Sequence, residues 1–289
     1  MFKFAENILN MKKLLLLVSS IAILSVNAKA QNCCAKPGSM QALAMNVDFK
    51  GAHEAPIPFT YESENGSMVS FSTTDGKTSN AFFLPSKHPT NKVVLVFHEW
   101  WGLNDYIKRE AEHIQQSLGG DVDVYAVDLY DGKVATTADE AGKLMGSLDA
   151  KRGAAIVEGI IKRAGPSKKI ATIGWCMGGS WSFNASVMAG TEAAGCVMYY
   201  GFPESDIKKI KPLKADVLYI RGTEDKFIQK EGVDAFGKNV KAVGRNYTQK
   251  DFPAEHAFAN PSNPKYDVKS ATIAMDITIK FLKEKLGIK

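Results

Sequence analysis

Ile170-Ala171-Thr172-Ile173 runs straight into Gly174-Trp175-Cys176-Met177-Gly178-Gly179, and few architectures accommodate that succession. An apolar run, a cysteine flanked by glycines and a small-residue stretch predict a buried strand, a sharp turn with a thiol at its tip, and a helix leading away. The glycines answer a demand for space: in so tight a turn a neighbouring side chain would strike the strand or the helix. The first amides of that helix carry a partial positive charge, which favours a thiolate at Cys176.

The rest of the chain supplies the sheet that such a turn needs. Residues 68–73 and 79–84 read as an antiparallel hairpin around the turn dipeptide Asp75-Gly76. Val93-Val94-Leu95-Val96-Phe97 is continuously apolar, as a strand covered on both faces should be. Asn104 can cap a helix that runs to about Leu118 and stops at Gly119-Gly120. Further strands follow at 122–127, 170–173, 196–200, 217–220 and, more polar, 246–252. Ala154, Ile156, Val157, Ile160 and Ile161 stripe one helix; Ile273, Ala274, Ile277, Phe281 and Leu282 give the closing helix its expected buried face. This rhythm predicts an α/β fold: a mostly parallel, doubly wound sheet with helices on both faces and an antiparallel hairpin at its start. Ligands then belong at the C-terminal ends of the strands.

The N-terminus reads as a targeting segment. Met11-Lys12-Lys13 is a positive region, the apolar stretch after it is too short for a comfortable membrane span, and Ala28-Lys29-Ala30 is a small-x-small cleavage site. The expected organisation is a signal peptide at 1–30 (Met11 being a possible true start), an extended surface leader at 31–60 rich in Pro and Gly, and one domain at 61–289. The expected destination is the periplasm or the exterior, with no stable membrane insertion after cleavage; acylation at Cys33 or Cys34 is the competing, lipid-anchored reading. A formal charge of +5 spread along 289 residues, without aromatic-interleaved basic patches, argues against a nucleic-acid partner. Four cysteines are too few for a disulfide scaffold. Cys196, in an apolar run, reads as an inert buried residue. Sequence spacing shows no Cys/His cluster with metal-ligand intervals, so no metal is expected. The oligomeric state is left open.

Three residues at predicted strand ends carry the chemistry. Cys176 follows one strand, Asp225 the next but one, in Arg221-Gly222-Thr223-Glu224-Asp225, and His256 the last, in Pro253-Ala254-Glu255-His256-Ala257-Phe258. Nucleophile, acid and base in that order is the order of α/β-hydrolases. A thiolate attacks a carbonyl carbon, an imidazole takes and returns the proton, and a carboxylate fixes the imidazole tautomer. Glu224 is a rival acid and His98 a weaker base; His53, His88 and His113 read as surface residues. His98-Glu99-Trp100-Trp101-Gly102-Leu103-Asn104 follows the first parallel strand. There the backbone N–H of Trp100, with that of Met177, would form an oxyanion hole. Glu99 would face the thiol across the pocket, and Trp101 would wall it.

Taken with Asp128-Leu129-Tyr130, Gly222-Thr223-Glu224-Asp225 and His256-Ala257-Phe258, these segments resemble the dienelactone hydrolase family over roughly residues 65–286. The resemblance implies an α/β-hydrolase fold, a Cys176–His256–Asp225 triad, and hydrolysis of a small-molecule ester or lactone through an acyl-thioester without a cofactor. It implies that Glu99 acts as a switch, interacting with the resting thiol until substrate binding frees it to help form the thiolate. It also places Tyr130, Lys133, Phe258 and Asn260 beside the substrate. Family members that act on dienelactone grip its carboxylate with two arginines; this chain has Asp131-Gly132-Lys133 and Ala259-Asn260-Pro261 at those places. Lys133 offers only a point charge there, so the substrate is expected to differ from dienelactone. Two rivals stand beside this reading: a non-catalytic exported binding protein on the same fold, and the Cys-dependent glyoxalase, chaperone and peptidase group. That group places a His straight after the elbow Cys, where this chain has Met177.

Overall fold

The computed structural model describes residues 40–289; the expected signal peptide, the first part of the leader, Cys33 and Cys34 lie outside the described residues. Two short helices come first, α1 (Met40–Ala44) and α2 (Val47–Gly51). The hairpin follows as β1 (Ser67–Ser72) and β2 (Thr78–Leu84), then β3 (Lys92–Phe97), α3 (Asp105–Ser117) and β4 (Asp123–Val127). Next come α4 (Ala138–Ser147), α5 (Ala150–Ala164), β5 (Lys169–Trp175), α6 (Met177–Met188) and β6 (Ala193–Tyr199). The chain closes with α7 (Ile207–Ile210), β7 (Asp216–Gly222), α8 (Lys230–Ala242), β8 (Tyr247–Phe252) and α9 (Val268–Leu286).

The eight strands form one sheet in the order β1-β2-β4-β3-β5-β6-β7-β8. β1 and β2 pair antiparallel, as does β2 with β4; every other neighbouring pair is parallel. Strands β3 and β5 at the centre are almost wholly buried, which explains why their sequences lack alternation. Helices cover both faces, as expected of an α/β-hydrolase. Asn104 caps α3 by accepting from Ile107 N, and the helix gives way to Gly119 and Gly120 with positive φ.

The turn at Cys176 is as tight as its glycines imply. Cys176 adopts φ 54° and ψ −120°, a conformation that costs a residue with a Cβ about 1–3 kcal/mol. A Cβ at Gly174 would stand 2.1 Å from the Gly178 carbonyl oxygen, and one at Gly178 would stand 2.3 Å from that of Phe97. The central helix α6 is thereby pressed against β3 and β5, and its residues are buried nearly all round.

Three expectations need correction. The leader, where described, is not wholly extended or on the surface: it holds two short helices and buries two aromatic side chains. Asn46 caps α2 by accepting from Phe49 N, and the turn that follows sends Phe49 and His53 into the molecule, both buried. Phe49 burial alone contributes roughly 1.5–3 kcal/mol. Lys50 pairs with Asp139 of α4 at 2.9 Å, and the Tyr106 hydroxyl of α3 donates to the Ile57 carbonyl at 3.0 Å, tying this strap down at two points. Second, the buried seam of α9 runs through Ala271, Ala274, Thr278 and Leu282, and Ile273 is exposed. Small residues let the helix approach closely enough for Thr278 Oγ1 to meet the Tyr199 hydroxyl at 2.7 Å. Third, β4 starts one residue later than expected, at Asp123.

Candidate active site

The parallel topology brings the ends of β5, β7 and β8 to one edge, and with them Cys176, Asp225 and His256. His256 Nε2 lies 3.3 Å from Cys176 Sγ. On its other side His256 Nδ1–H donates to Asp225 Oδ2 at 2.7 Å. Asp225 is fixed in turn, its Oδ1 accepting from Phe227 N at 2.8 Å and Ile228 N at 3.0 Å. All three residues are buried, whereas Glu224, the rival acid, is exposed.

Charge and burial act together here. Burial disfavours a charged His256, but the Asp225 carboxylate and the Cys176 sulfur outweigh it and push the imidazole up to about 10. Burial likewise opposes charge on Asp225, yet His256 and the two backbone N–H groups hold its carboxyl below the ordinary value. The arrangement can pass a proton between sulfur and imidazole while the carboxylate holds the ring.

The loop after β3 lies across from the sulfur. Trp100 N–H donates to no protein group among the described residues, and Met177 is the first residue of α6, where the amide lacks an intrahelical partner. Glu99 is buried, and its Oε2 has no hydrogen-bond partner among the described residues. Burial raises its carboxyl to about 8, with His256, Ser262 and Asn260 pulling the other way. The resemblance places the resting thiol on this glutamate; here the sulfur faces His256 instead. His98 has no capacity to act as a base. Its Nε2 accepts from Leu129 N at 3.1 Å, so its Nδ1 donates to the Glu99 carbonyl at 2.6 Å, tying the β3 and β4 loops together.

The expected pocket residues are distributed unevenly. A narrow crevice of about 10 Å³, room for about one water, is lined by Asn260 with Glu99, Tyr106, Ile107, Glu110, Trp175, Ala259 and Pro261. A cavity of about 270 Å³ shares Glu110, Trp175 and Ala259 as walls. Tyr130 is buried, its hydroxyl donating to Met177 Sδ at 3.2 Å. Trp101 packs on Trp100, and Phe258 on Tyr200 and Phe252. Lys133 lines neither the crevice nor the larger cavity; it is exposed, in the loop that holds the positive-φ pair Asp131-Gly132. Cys196 is buried, and burial raises its thiol to about 11.

The strap brings residues that sequence reasoning missed. Phe49 packs edge-on to Trp100 at 5.2 Å and to Phe227 at 5.0 Å, and lies 5.6 Å from His256. His53, expected on the surface, packs at a tilt against Trp100 at 4.5 Å and edge-on to His256 at 5.4 Å. Burial and the neighbouring His256 charge lower His53 to about 3, so its ring is neutral. Tyr200 covers the other side of His256 at 5.1 Å. The signal for His53 was the Phe49/His53 spacing, which shares one helical face just after the cap residue Asn46. The spacing of cysteines and histidines along the chain offered no metal-ligand set. The fold nevertheless brings ligating atoms of His53, Cys176 and His256 within 4.8 Å of one another.

Comparison with known proteins shows what the chain is similar to. The model of the dienelactone hydrolase family matches residues 80–286. The chain is 29% identical over 204 residues to Protein usf of Aquifex pyrophilus, across 67% of this chain and 88% of that protein. It is 24% identical over 209 residues to carboxymethylenebutenolidase 1 of Cupriavidus pinatubonensis (strain JMP 134), across 66% of this chain and 85% of that one. In fold it is similar to a dienelactone hydrolase-like promiscuous phosphotriesterase from metagenomic libraries, with a TM-score of 0.65 at 20% identity over 76% of this chain and 98% of that structure.

Proposed function

The chain belongs to the dienelactone hydrolase family, and from that membership and the geometry of its site we propose that it hydrolyses a carboxylic ester or lactone through an acyl-enzyme on Cys176. The observation that carries the reading is the unbroken chain of contacts from Cys176 Sγ through His256 to Asp225, at 3.3 and 2.7 Å. His256 takes the thiol proton, and the sulfur attacks the carbonyl carbon. The Trp100 and Met177 amides receive the negative charge that develops on the carbonyl oxygen. As the C–O bond breaks, His256 passes its proton to the leaving alkoxide. A water then gives a proton to His256, attacks the thioester, and releases the acid with return of the proton to sulfur.

Glu99 sits where burial keeps it protonated near neutral pH, so it adds no negative charge beside the attacking sulfur until its surroundings change. The substrate class follows from what surrounds the crevice. Lys133 is exposed and, among the described residues, no arginine lines the crevice, so a small, largely neutral ester or lactone fits better than a dicarboxylate. With Cys176 fully buried and His53 of the strap within 4.8 Å of it, the strap must lift to admit substrate.

Intact-mass spectrometry after mixing with an activated aryl ester tests the reading. It should show one added acyl group, mapping to the peptide that contains Cys176, at times shorter than a turnover. Steady hydrolysis with the acyl group never found on Cys176 would contradict it. We further propose that the chain is exported and cleaved after Ala30, as its N-terminal pattern suggests. N-terminal sequencing of protein recovered from its host should begin at Gln31; an intact Met1 or Met11 start on the mature protein would refute export by this route.

A further inference from the structure

His53 has no part in the hydrolytic scheme, yet it is placed with care. Its Nδ1 lies 2.7 Å from the Phe49 carbonyl oxygen. That oxygen can only accept, so Nδ1 carries the hydrogen and Nε2 holds the lone pair. Nε2 is buried and has no hydrogen-bond partner among the described residues, and His53 as a whole is only 4% exposed. A buried acceptor left in this state is costly, which points to a ligand. A ring nitrogen of His53 lies within 4.8 Å of both Cys176 Sγ and a ring nitrogen of His256, and Nε2 is the His53 nitrogen left with a lone pair to offer.

The two imidazoles are prepared alike. Each has its Nδ1–H committed to an oxygen, the Phe49 carbonyl for His53 and the Asp225 carboxylate for His256, which leaves each Nε2 lone pair available, that of His256 facing the sulfur at 3.3 Å. Outer hydrogen bonds of this kind orient and enrich metal-ligating histidines. Two imidazoles and a thiolate suit a borderline-soft ion and suit magnesium or calcium poorly, since those require oxygen ligands. A tetrahedral ion with bonds of about 2.3 Å to sulfur and about 2.0–2.1 Å to nitrogen holds its ligand atoms roughly 3.3–3.6 Å apart. Cys176 Sγ and His256 Nε2 already meet that separation at 3.3 Å, and His53 needs to close by about one ångström.

We propose that His53, Cys176 and His256 form a three-ligand site for zinc(II), and that its occupation switches the hydrolase off. Binding forms one Zn–S and two Zn–N bonds. The single proton shared by Cys176 and His256 is released to solvent, His53 releases none, and no electrons are transferred. Water completes the tetrahedron. The sulfur lone pair and the His256 nitrogen are then both engaged, so neither nucleophile nor base is available. The strap that carries His53 closes over the ion, and the same movement that admits substrate admits the metal. Only the inhibition rests on the hydrolase reading; the binding does not.

Cobalt(II) is the probe, added to the full chain and to its Cys176→Ser, His53→Phe and His53→Gln variants. The wild-type protein should show a thiolate-to-cobalt charge-transfer band and the visible bands of a tetrahedral ion, both displaced by zinc. Because Cys33 and Cys34 also offer sulfur, the difference from Cys176→Ser isolates this site. Both His53 variants should lose the tetrahedral bands and bind zinc at least about 10-fold more weakly. Two variants are used so that a packing defect in one, seen as a change in thermal midpoint, leaves the other to decide. A Cys176-dependent spectrum unchanged in both His53 variants would overturn the proposal, as would a wild-type spectrum without any Cys176-dependent band. These spectra stand whether or not any ester is turned over. Zinc inhibition of ester hydrolysis, reversed by a chelator, is scored separately and should weaken with zinc affinity; full activity at saturating zinc would overturn the switch.

Discussion

Cys176→Ala should lower kcat/KM toward an activated aryl ester by about 10⁴-fold or more, with the protein still folded. The loss is large because, among the described residues, the sulfur is the one nucleophile within hydrogen-bond reach of His256. A buried site cannot recruit bulk water in its place without moving the strap. The change removes one buried atom, so stability should fall by no more than about 1.5 kcal/mol, and a urea titration alongside the kinetics separates the two effects. Alanine also inherits the φ of 54°, a strain that the cysteine already bears. Retention of even a tenth of the wild-type rate would mean that the chemistry lies elsewhere.

Asp225→Asn should be nearly as damaging, at about 10⁴-fold in kcat, for a different reason. The amide occupies the same volume, but it can present N–H to His256 Nδ1 and reverse the tautomer. Nε2 would then carry a hydrogen where it must accept one. The substitution has a second signature in stability. The folded-state pKa of His256 stands at about 10, above its ordinary value of 6.5. Its contribution to stability is therefore fully present below about pH 6.5 and is lost as pH rises through about 10. Asp225 itself is depressed, so its contribution is present above the ordinary carboxylate range and disappears as pH falls through its folded value. The Asn variant should show a flatter dependence of the urea midpoint on pH at both ends. Identical pH profiles for variant and parent would mean that the pair contributes nothing to the fold.

Much of this architecture was legible in the chain because its strands are buried on both faces. Val93–Phe97 and Ile170–Ile173 announce themselves as apolar runs, and the glycines around Cys176 mark a turn that no other residue type fits. Asp225 and His256 were visible because each follows a strand by a few residues, which places them at the same edge. What escaped notice is what arrives from outside that alternation. His53 and Phe49 stand in a stretch of prolines and glycines whose helices are only five residues long, too short to register as periodicity. Their burial is decided by a cap at Asn46 and by aromatic partners far away in sequence. The His53–Cys176–His256 cluster joins three distant segments, so no spacing rule could have shown it. Lys133 illustrates the opposite case: its position in the motif suggested the site, but the folded loop leaves its side chain exposed.

The central claim is that Cys176, His256 and Asp225 act as one catalytic unit, and a double-mutant cycle in kcat tests it most directly. Groups that work only together lose nearly everything when any one is removed. The account predicts that Cys176→Ala, His256→Ala and the double variant fall to the same residual rate within a few-fold. Losses that multiply, leaving the double variant slower than either single one by the full factor of the other, would contradict it.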